Sequence, residues 1–194
     1  MSYALLLMDF SNDLVDPKGK LASKGYVKFA RENQLFHHVN QAIAAIRSQG
    51  GFIVWVNLAF HPCYLNHPNH SPLLGGAAAL NAFQQDQWGS QIQAELALEA
   101  TDLQLTKTRV SPFFGTPLES VLRLQGIDHL LLAGVATELV VSCAAREGHD
   151  RDFAITVLSN CCGDVDEQSH QRALVGLQRF GQVMTLNQLG FEEN

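Results

Sequence analysis

The chain has 194 residues, of which 46% are hydrophobic and 16% are charged, and its formal net charge is -6. This balance predicts one globular domain over residues 1–194 and excludes a disordered chain. The negative charge argues against nucleic-acid binding, and no stretch approaches the ~20 apolar residues that span a membrane.

Short apolar runs alternate with amphipathic segments in the first half of the chain. A continuous apolar run is typical of a strand buried on both faces, and apolar residues at helical spacing before Gly50 predict a helix. The predicted elements are a strand at 3–8, a helix at 33–49, a strand at 52–58, a loop at 61–72 and a weaker helix at about 81–95.

The second half has the same alternation with clearer boundaries. The sequence Thr116-Pro117-Leu118-Glu119 has the form of a capping box with proline at the first helical position, and it predicts a helix that ends at Gly126. The other predicted elements are strands at 103–106, 129–135, 153–158 and 183–186, and helices at 138–148 and 167–180.

Strands that alternate with helices predict right-handed βαβ units, and hence an α/β fold with a parallel sheet and helices on both faces. In such sheets, ligands bind beyond the carboxyl ends of the strands. Asp9 follows the first strand, Lys107 the third, and residues 134–137 (Gly-Val-Ala-Thr) the fourth. We therefore expect these three parts of the sequence to meet at one edge of the sheet.

An acidic side chain directly after a buried strand costs free energy unless it has a partner. Lys107 is the candidate partner for Asp9, and attraction between them would favour both charged forms. The alternative is that Asp9 only caps a turn and Lys107 lies on the surface.

Three segments carry a resemblance to a known family: "ALLLMDFSND" at 4–13, "KTRVSPFFGT" at 107–116 and "LLLAGVATELVV" at 130–141. In their order and spacing they resemble the isochorismatase-like, or cysteine hydrolase, superfamily, over essentially the whole chain. The resemblance implies a Rossmann-type three-layer sandwich with a six-stranded parallel sheet. It also implies a hydrolase with a small-molecule substrate, and a homo-oligomer, because relatives are often dimers or tetramers.

The resemblance also implies a catalytic site. In members that use a cysteine, a thiolate after the fourth strand attacks the substrate, the aspartate takes the thiol proton and the lysine holds the thiolate. Asp9 and Lys107 match the aspartate and the lysine, but the nucleophile position is Val140. Some isochorismatases lack the thiol and hydrolyse a vinyl ether with the aspartate as general acid. The chain looks closer to uncharacterised members that also lack the thiol but keep both charged residues, so the resemblance does not imply isochorismate as the substrate.

Two alternatives remain open. The first is a catalytically silent protein that kept the pocket and binds a small molecule. The second is a cysteine hydrolase that uses Cys143, about one helical turn beyond Val140, or Cys63 on the loop after the second strand. Cys161 and Cys162 are interpreted as packing residues. Without an export signal, the four cysteines predict reduced thiols and a cytoplasmic location.

The resemblance further implies a cis peptide between Val135 and Ala136, which with the amide of Val140 would form an oxyanion-type pocket for a carboxylate or carbonyl. We expect His61 and Phe113 to face the substrate. Nicotinamidases begin a metal site with Asp-x-His, but here the matching stretch is Ala59-Phe60-His61. We therefore expect His61, His67 and His70 to be loop or pocket residues, with no metal and no cofactor.

The leading hypothesis is a hydrolase of a small metabolite, acting on a C–N, carbonyl or vinyl-ether bond. Asp9 would be its general acid or base, and Lys107 would be the partner of Asp9.

Overall fold

Six parallel strands form one sheet in the computed structural model of the chain, which describes residues 2–190. The order across the sheet is β3-β2-β1-β4-β5-β6, so the first strand lies at the centre and the order reverses beside it. This confirms the predicted α/β fold. The strands are β1 (Tyr3–Met8), β2 (Phe52–Leu58), β3 (Leu103–Lys107), β4 (His129–Val135), β5 (Ala154–Gly163) and β6 (Gln182–Met184).

Helices cover both faces of this sheet, and none among the described residues is long and apolar enough to cross a membrane. Three 3₁₀ turns (Ala22–Lys24, Trp88–Ser90 and Leu186–Leu189) and one π-helical turn (Thr137–Val141) supplement them. The helices are α1 (Asn12–Val15), α2 (Tyr26–Glu32), α3 (Leu35–Ser48), α4 (Ala77–Leu80), α5 (Leu118–Leu124), α6 (Ser142–His149) and α7 (Glu167–Leu177).

Alternate side chains of the central strand β1 pack into the two apolar layers on opposite faces of the sheet. Leu5 and Leu7 pack into the layer that contains α3, whereas Leu6 and Met8 pack into the layer that contains α5, α6 and α7. All four side chains are fully buried. This explains the continuous apolar run in the sequence, because a strand covered on both faces has no solvent-facing positions to leave polar.

The helix expected at about 81–95 was wrong. The 3₁₀ turn Trp88–Ser90 is the only helical turn in that stretch, and Asn81 and Phe83 have positive φ values of 50° and 57°, which no α-helix accommodates. Its backbone is held from outside the segment, since the Phe83 amide donates to Asp13 Oδ2 at 2.6 Å. Tertiary hydrogen bonds therefore override a weak helical pattern.

The boundaries of two other elements also differ from the prediction. The Thr116 hydroxyl donates to the Pro112 carbonyl at 2.6 Å, and α5 begins at Leu118 with no side-chain cap at Pro117. The reciprocal capping box is therefore absent, although the Thr116 hydroxyl also accepts from the Leu118 amide at 3.3 Å. Strand β5 continues to Gly163, beyond the predicted end at residue 158, and its register against β4 shifts between Leu132 and Gly134.

Candidate active site

A cavity of about 90 Å³ opens at the carboxyl edge of the sheet, where β1, β3 and β4 end. Three ionisable residues, Asp9, Lys107 and Arg109, lie on its wall. Most of the remaining wall is apolar, including Leu58, Leu73, Phe83, Leu139 and Val140. The predicted convergence of the three strand ends is therefore present in the structure, and it lies beside the reversal of strand order.

Asp9 is held by the backbone of the neighbouring strand. Its amide donates to the Val56 carbonyl at 3.2 Å, and its Oδ1 accepts from the Leu58 amide at 2.8 Å. The residue has a positive φ of 58°, a conformation that costs a non-glycine residue free energy but is better tolerated by aspartate than by most residues. This turn out of β1 directs the carboxylate toward β2 and β3.

Lys107 completes the pair from the end of β3. Its Nζ donates to Asp9 Oδ2 at 2.8 Å and to the Arg109 carbonyl at 3.0 Å. The side chain of Lys107 is 1% exposed and that of Asp9 is 9% exposed. The two residues are separated by 98 positions in the sequence, so the sheet topology alone brings them together.

Burial raises the pKa of the Asp9 carboxyl above its usual range. The positive charge and hydrogen bond of Lys107 and the hydrogen bond from the Leu58 amide oppose this shift only in part. Burial thus outweighs the attraction of Lys107 in the direction of the shift, so the Asp9 carboxyl holds its proton more tightly than an ordinary aspartate does.

The segment after β4 lies against the same cavity. The peptide bond between Val135 and Ala136 is cis, and both residues line the cavity with Val140, whose side chain is buried in the π-helical turn. Side chains hold this turn in place: the Thr137 hydroxyl donates to the Gly163 carbonyl at 3.1 Å, and Asp164 Oδ2 accepts from the Glu138 amide at 2.8 Å.

No cysteine lies among the described residues that line this cavity. Cys143 is half-buried on α6 with its Sγ 3.6 Å from Glu147 Oε1, and burial and the Glu147 charge raise the pKa of its thiol. Cys63 is exposed on the loop after β2, and Cys161 is buried. Burial raises the pKa of Cys162 to about 12. The environments of Cys143, Cys161 and Cys162 therefore disfavour a thiolate.

The structure places His61 and Phe113 away from the cavity wall. His61 is exposed, and its Nδ1 accepts from the Cys63 amide at 3.0 Å. Phe113 points into the apolar layer beneath α5, stacked on Phe153 with ring centroids 6.2 Å apart. The loop turns His61 toward solvent, and packing takes Phe113 inward.

The histidines of the loop after β2 do not assemble into a metal site. Within residues 2–190, no group of three or more His, Cys, Asp or Glu side chains is placed to hold a metal ion. His67 packs against Phe60 and Tyr64, and its Nε2 lies 3.1 Å from the Gly75 carbonyl. The residues present do not fit a metal centre like that of a nicotinamidase.

Sequence reasoning missed two residues that shape the site. Asp13 is buried, and its carboxylate accepts from the amides of Lys20 at 3.2 Å and Phe83 at 2.6 Å, which fixes Phe83 in the cavity wall. Arg109 lies two residues after Lys107 on the same wall. The signal for Asp13 was a second acid in an otherwise buried segment, and the signal for Arg109 was a second cation after the strand.

Two curated relatives are similar in sequence over most of the chain. The ureidoacrylate amidohydrolase RutB of Klebsiella pneumoniae subsp. pneumoniae is 28% identical over 190 residues, covering 91% of this chain and 80% of the relative. The RutB protein of Klebsiella variicola gives the same values. By name, both relatives are amidohydrolases.

Solved structures match the fold over nearly the whole chain. An isochorismatase-like hydrolase from Alkaliphilus metalliredigens has a TM-score of 0.79 at 26% identity, covering 97% of this chain and 96% of that one. An isochorismatase family protein from Desulfovibrio vulgaris has a TM-score of 0.86 at 20% identity, with the same coverage. Residues 3–188 match the Isochorismatase domain family, and the chain therefore belongs to the isochorismatase family of hydrolases.

Proposed function

We propose that the chain hydrolyses a small metabolite at a C–N, carbonyl or vinyl-ether bond, with Asp9 as general acid or base and Lys107 as its electrostatic partner. One observation carries the proposal: the Asp9 carboxyl is buried against Lys107 on the wall of an apolar cavity, with its pKa raised. A buried group with a shifted pKa in a cavity is characteristic of active sites. The amidohydrolase names of the RutB relatives agree with this reaction class.

The raised pKa favours the acid role for Asp9. As the reaction begins, the carboxyl would deliver its proton to the substrate atom that gains negative charge or leaves. The resulting carboxylate would be stabilised at once by the Lys107 ammonium 2.8 Å away. A water molecule would then add to the activated carbon, and the carboxylate would take the proton that this water loses. Acid and base roles therefore alternate within one turnover.

The proposed reaction involves no covalent enzyme intermediate. In this proposal, which takes the match from the sequence resemblance, Val140 stands at the position of the nucleophile of thiol-using members. Its side chain lines the cavity and has no nucleophilic atom. In this proposal Val140 contributes apolar wall, and the backbone at Val135, Ala136 and Val140 borders the oxygen of the substrate. Exclusion of bulk water by this wall strengthens the electrostatic effect of Lys107.

A silent binding protein is the second candidate, and the absence of a thiol from the described cavity wall favours it. In that case the cavity would bind a metabolite without turnover. A thiol mechanism through Cys143 or Cys63 has less support, because neither residue lines the cavity and the Cys143 pKa is raised.

The test compares the wild-type protein with Asp9→Asn on a panel of amides, nitriles, carbamates, esters and vinyl ethers. Asp128→Asn is the matched control, because Asp128 is exposed before β4, at the opposite end of the sheet. Loss of a general acid lowers turnover by about 10²–10⁴-fold, and we expect this for Asp9→Asn but no change for Asp128→Asn. Turnover that survives in Asp9→Asn contradicts the proposal. Binding of a panel compound without any turnover supports the silent alternative.

A further inference from the structure

Arg109 is a cation on the cavity wall without an acidic partner among residues 2–190. Its Nη1 donates only to neutral acceptors: the Asn66 carbonyl at 3.2 Å, the Thr108 carbonyl at 2.7 Å and the Thr108 hydroxyl at 3.3 Å. Its Nε and Nη2 make no hydrogen bond within the part of the chain that the structure describes. The N–H groups on Nε and Nη2 of the guanidinium can therefore donate hydrogen bonds to a ligand.

The charges on the cavity wall do not cancel. Asp9 and Lys107 form one neutral pair, or a positive one when the Asp9 carboxyl is protonated, and Arg109 adds a further positive charge. This positive wall belongs to a chain whose formal net charge is -6. A half-buried guanidinium without a counter-ion is most readily compensated by an anionic group that enters the cavity.

The rest of the cavity wall favours a ligand whose remaining part, apart from the anionic group, is compact and apolar. Leucine, valine and phenylalanine side chains form most of it, with Leu73 and Leu74 contributed by the loop after β2. The cavity volume of about 90 Å³ is several times the roughly 10–15 Å³ that one water molecule needs on the same measure. A short branched hydrocarbon chain matches both the size and the polarity of this space.

We propose that Arg109 binds the carboxylate of the substrate, so that the natural ligand is a small monocarboxylate with a compact apolar body. This inference rests on the proposed function, because it describes the substrate of the same site. A carboxylate fits better than a phosphate because one guanidinium matches a single negative charge and binds its two oxygens through parallel hydrogen bonds. A phosphate dianion would require further donors, and the mostly apolar wall offers few.

The position of Arg109 links substrate binding to the acid. The Arg109 carbonyl accepts a hydrogen bond from Lys107 Nζ, which in turn contacts Asp9. Lys107 thus links the backbone of Arg109 to the Asp9 carboxyl through two hydrogen bonds from its Nζ. Arg109 would in this way determine which bond of the substrate lies next to Asp9.

The test measures the binding of two probes of nearly equal shape, isobutyrate and isobutyramide, by isothermal titration or ligand-observed NMR. We expect the wild-type protein to bind isobutyrate at least roughly tenfold more tightly, because only the anion makes charge-assisted bonds to the guanidinium. Arg109→Gln should weaken isobutyrate binding by roughly 10- to 100-fold and change isobutyramide binding by less than about threefold. Arg109→Lys should retain part of the preference. Arg179→Gln, which removes an exposed arginine outside the cavity wall, should change neither.

Several outcomes would overturn the inference: equal binding of both probes to the wild type, no detectable isobutyrate binding, or equal loss of both probes in Arg109→Gln. Tighter binding of inorganic phosphate than of isobutyrate would overturn the carboxylate assignment. The comparison of probes on the wild-type protein remains decisive even if a variant fails to fold. Because binding is measured without turnover, isobutyrate selectivity combined with unchanged turnover in Asp9→Asn would refute the proposed function and leave the carboxylate site intact.

Discussion

Two aspartates in this chain each contact a cation through a side chain that is less than a tenth exposed, but their surroundings differ. Asp102 accepts from Arg47 Nη2 at 2.9 and 3.0 Å, from Trp55 Nε1 at 3.0 Å and from the Glu99 amide at 3.0 Å. Asp9 accepts from Lys107 and from the Leu58 amide, and it also faces the cavity. Asp102 is thus surrounded by donors from three parts of the chain, whereas Asp9 keeps a side open to a ligand.

The comparison separates a structural carboxylate from a reactive one. Asp102 ties α3, β2 and the segment before β3 together, and its hydrogen bonds leave no room for chemistry. Asp9 has fewer donors than a buried carboxylate can use, and so burial raises its pKa. Incomplete hydrogen bonding next to a cavity, rather than the presence of an ion pair, is what marks the site.

Lys107→Met should have the largest effect on stability. It leaves the Asp9 carboxyl buried without its cation, and breaking a buried pair in this way costs about 3–5 kcal/mol. The free energy of unfolding, measured in urea at a pH at which the Asp9 carboxyl of the wild type is ionised, should fall by that amount. The double variant Asp9→Leu/Lys107→Met should recover most of the loss, because no charge then remains buried. A single variant as stable as the wild type would contradict the burial of the pair.

Asp102→Asn should lower the free energy of unfolding by a smaller amount, about 1–3 kcal/mol, because Arg47 loses its buried acceptor but keeps its ion pair with Glu99. Turnover by the folded variant should stay unchanged. Urea unfolding and turnover measured on the same sample check both expectations. A loss of turnover comparable to that of Asp9→Asn would remove the distinction between the two aspartates.

The sequence predicted the main features that position the site. Apolar runs gave all six strands, and the rule for parallel sheets brought Asp9 and Lys107 to one edge, where the structure joins them at 2.8 Å. These features follow from local periodicity and from strand order. Both of these are readable along the chain.

Contacts between side chains that are distant in the sequence could not be predicted from local periodicity or strand order. The predicted helix at about 81–95 fails because Asp13 holds the Phe83 amide across 70 positions. The side chain of Phe113 turns inward because Phe153 offers it a stacking partner. The direction of the Asp9 pKa shift also depends on how fully the carboxyl is buried, which no pattern of residue types specifies.

Cys143→Ser should have the smallest effect. The Cys143 thiol lies outside the cavity wall, its pKa is raised, and it contacts Glu147, so turnover should stay within about twofold of the wild type. Alkylation with iodoacetamide should likewise leave turnover intact. Complete inactivation by alkylation, and a matching loss in Cys143→Ser, would favour a thiol mechanism over the proposed role of Asp9.

The pH dependence follows from the raised pKa of Asp9. Above the usual aspartate pKa the folded protein binds the proton more tightly than the unfolded chain does. The contribution of Asp9 to stability is therefore present at low pH, and it falls as the pH rises from the usual aspartate range through the raised value. Turnover that requires the protonated acid should decline over the same range.

The most direct test of a reactive Asp9 is an NMR titration of the carboxyl carbons in protein labelled with ¹³C-aspartate, with the Asp9 signal assigned from its absence in Asp9→Asn. We predict a midpoint clearly above the usual aspartate value of about 3.9. A midpoint at or below that value would mean that Lys107 holds Asp9 as a permanent carboxylate. In that case the pair would be structural, like that of Asp102 and Arg47.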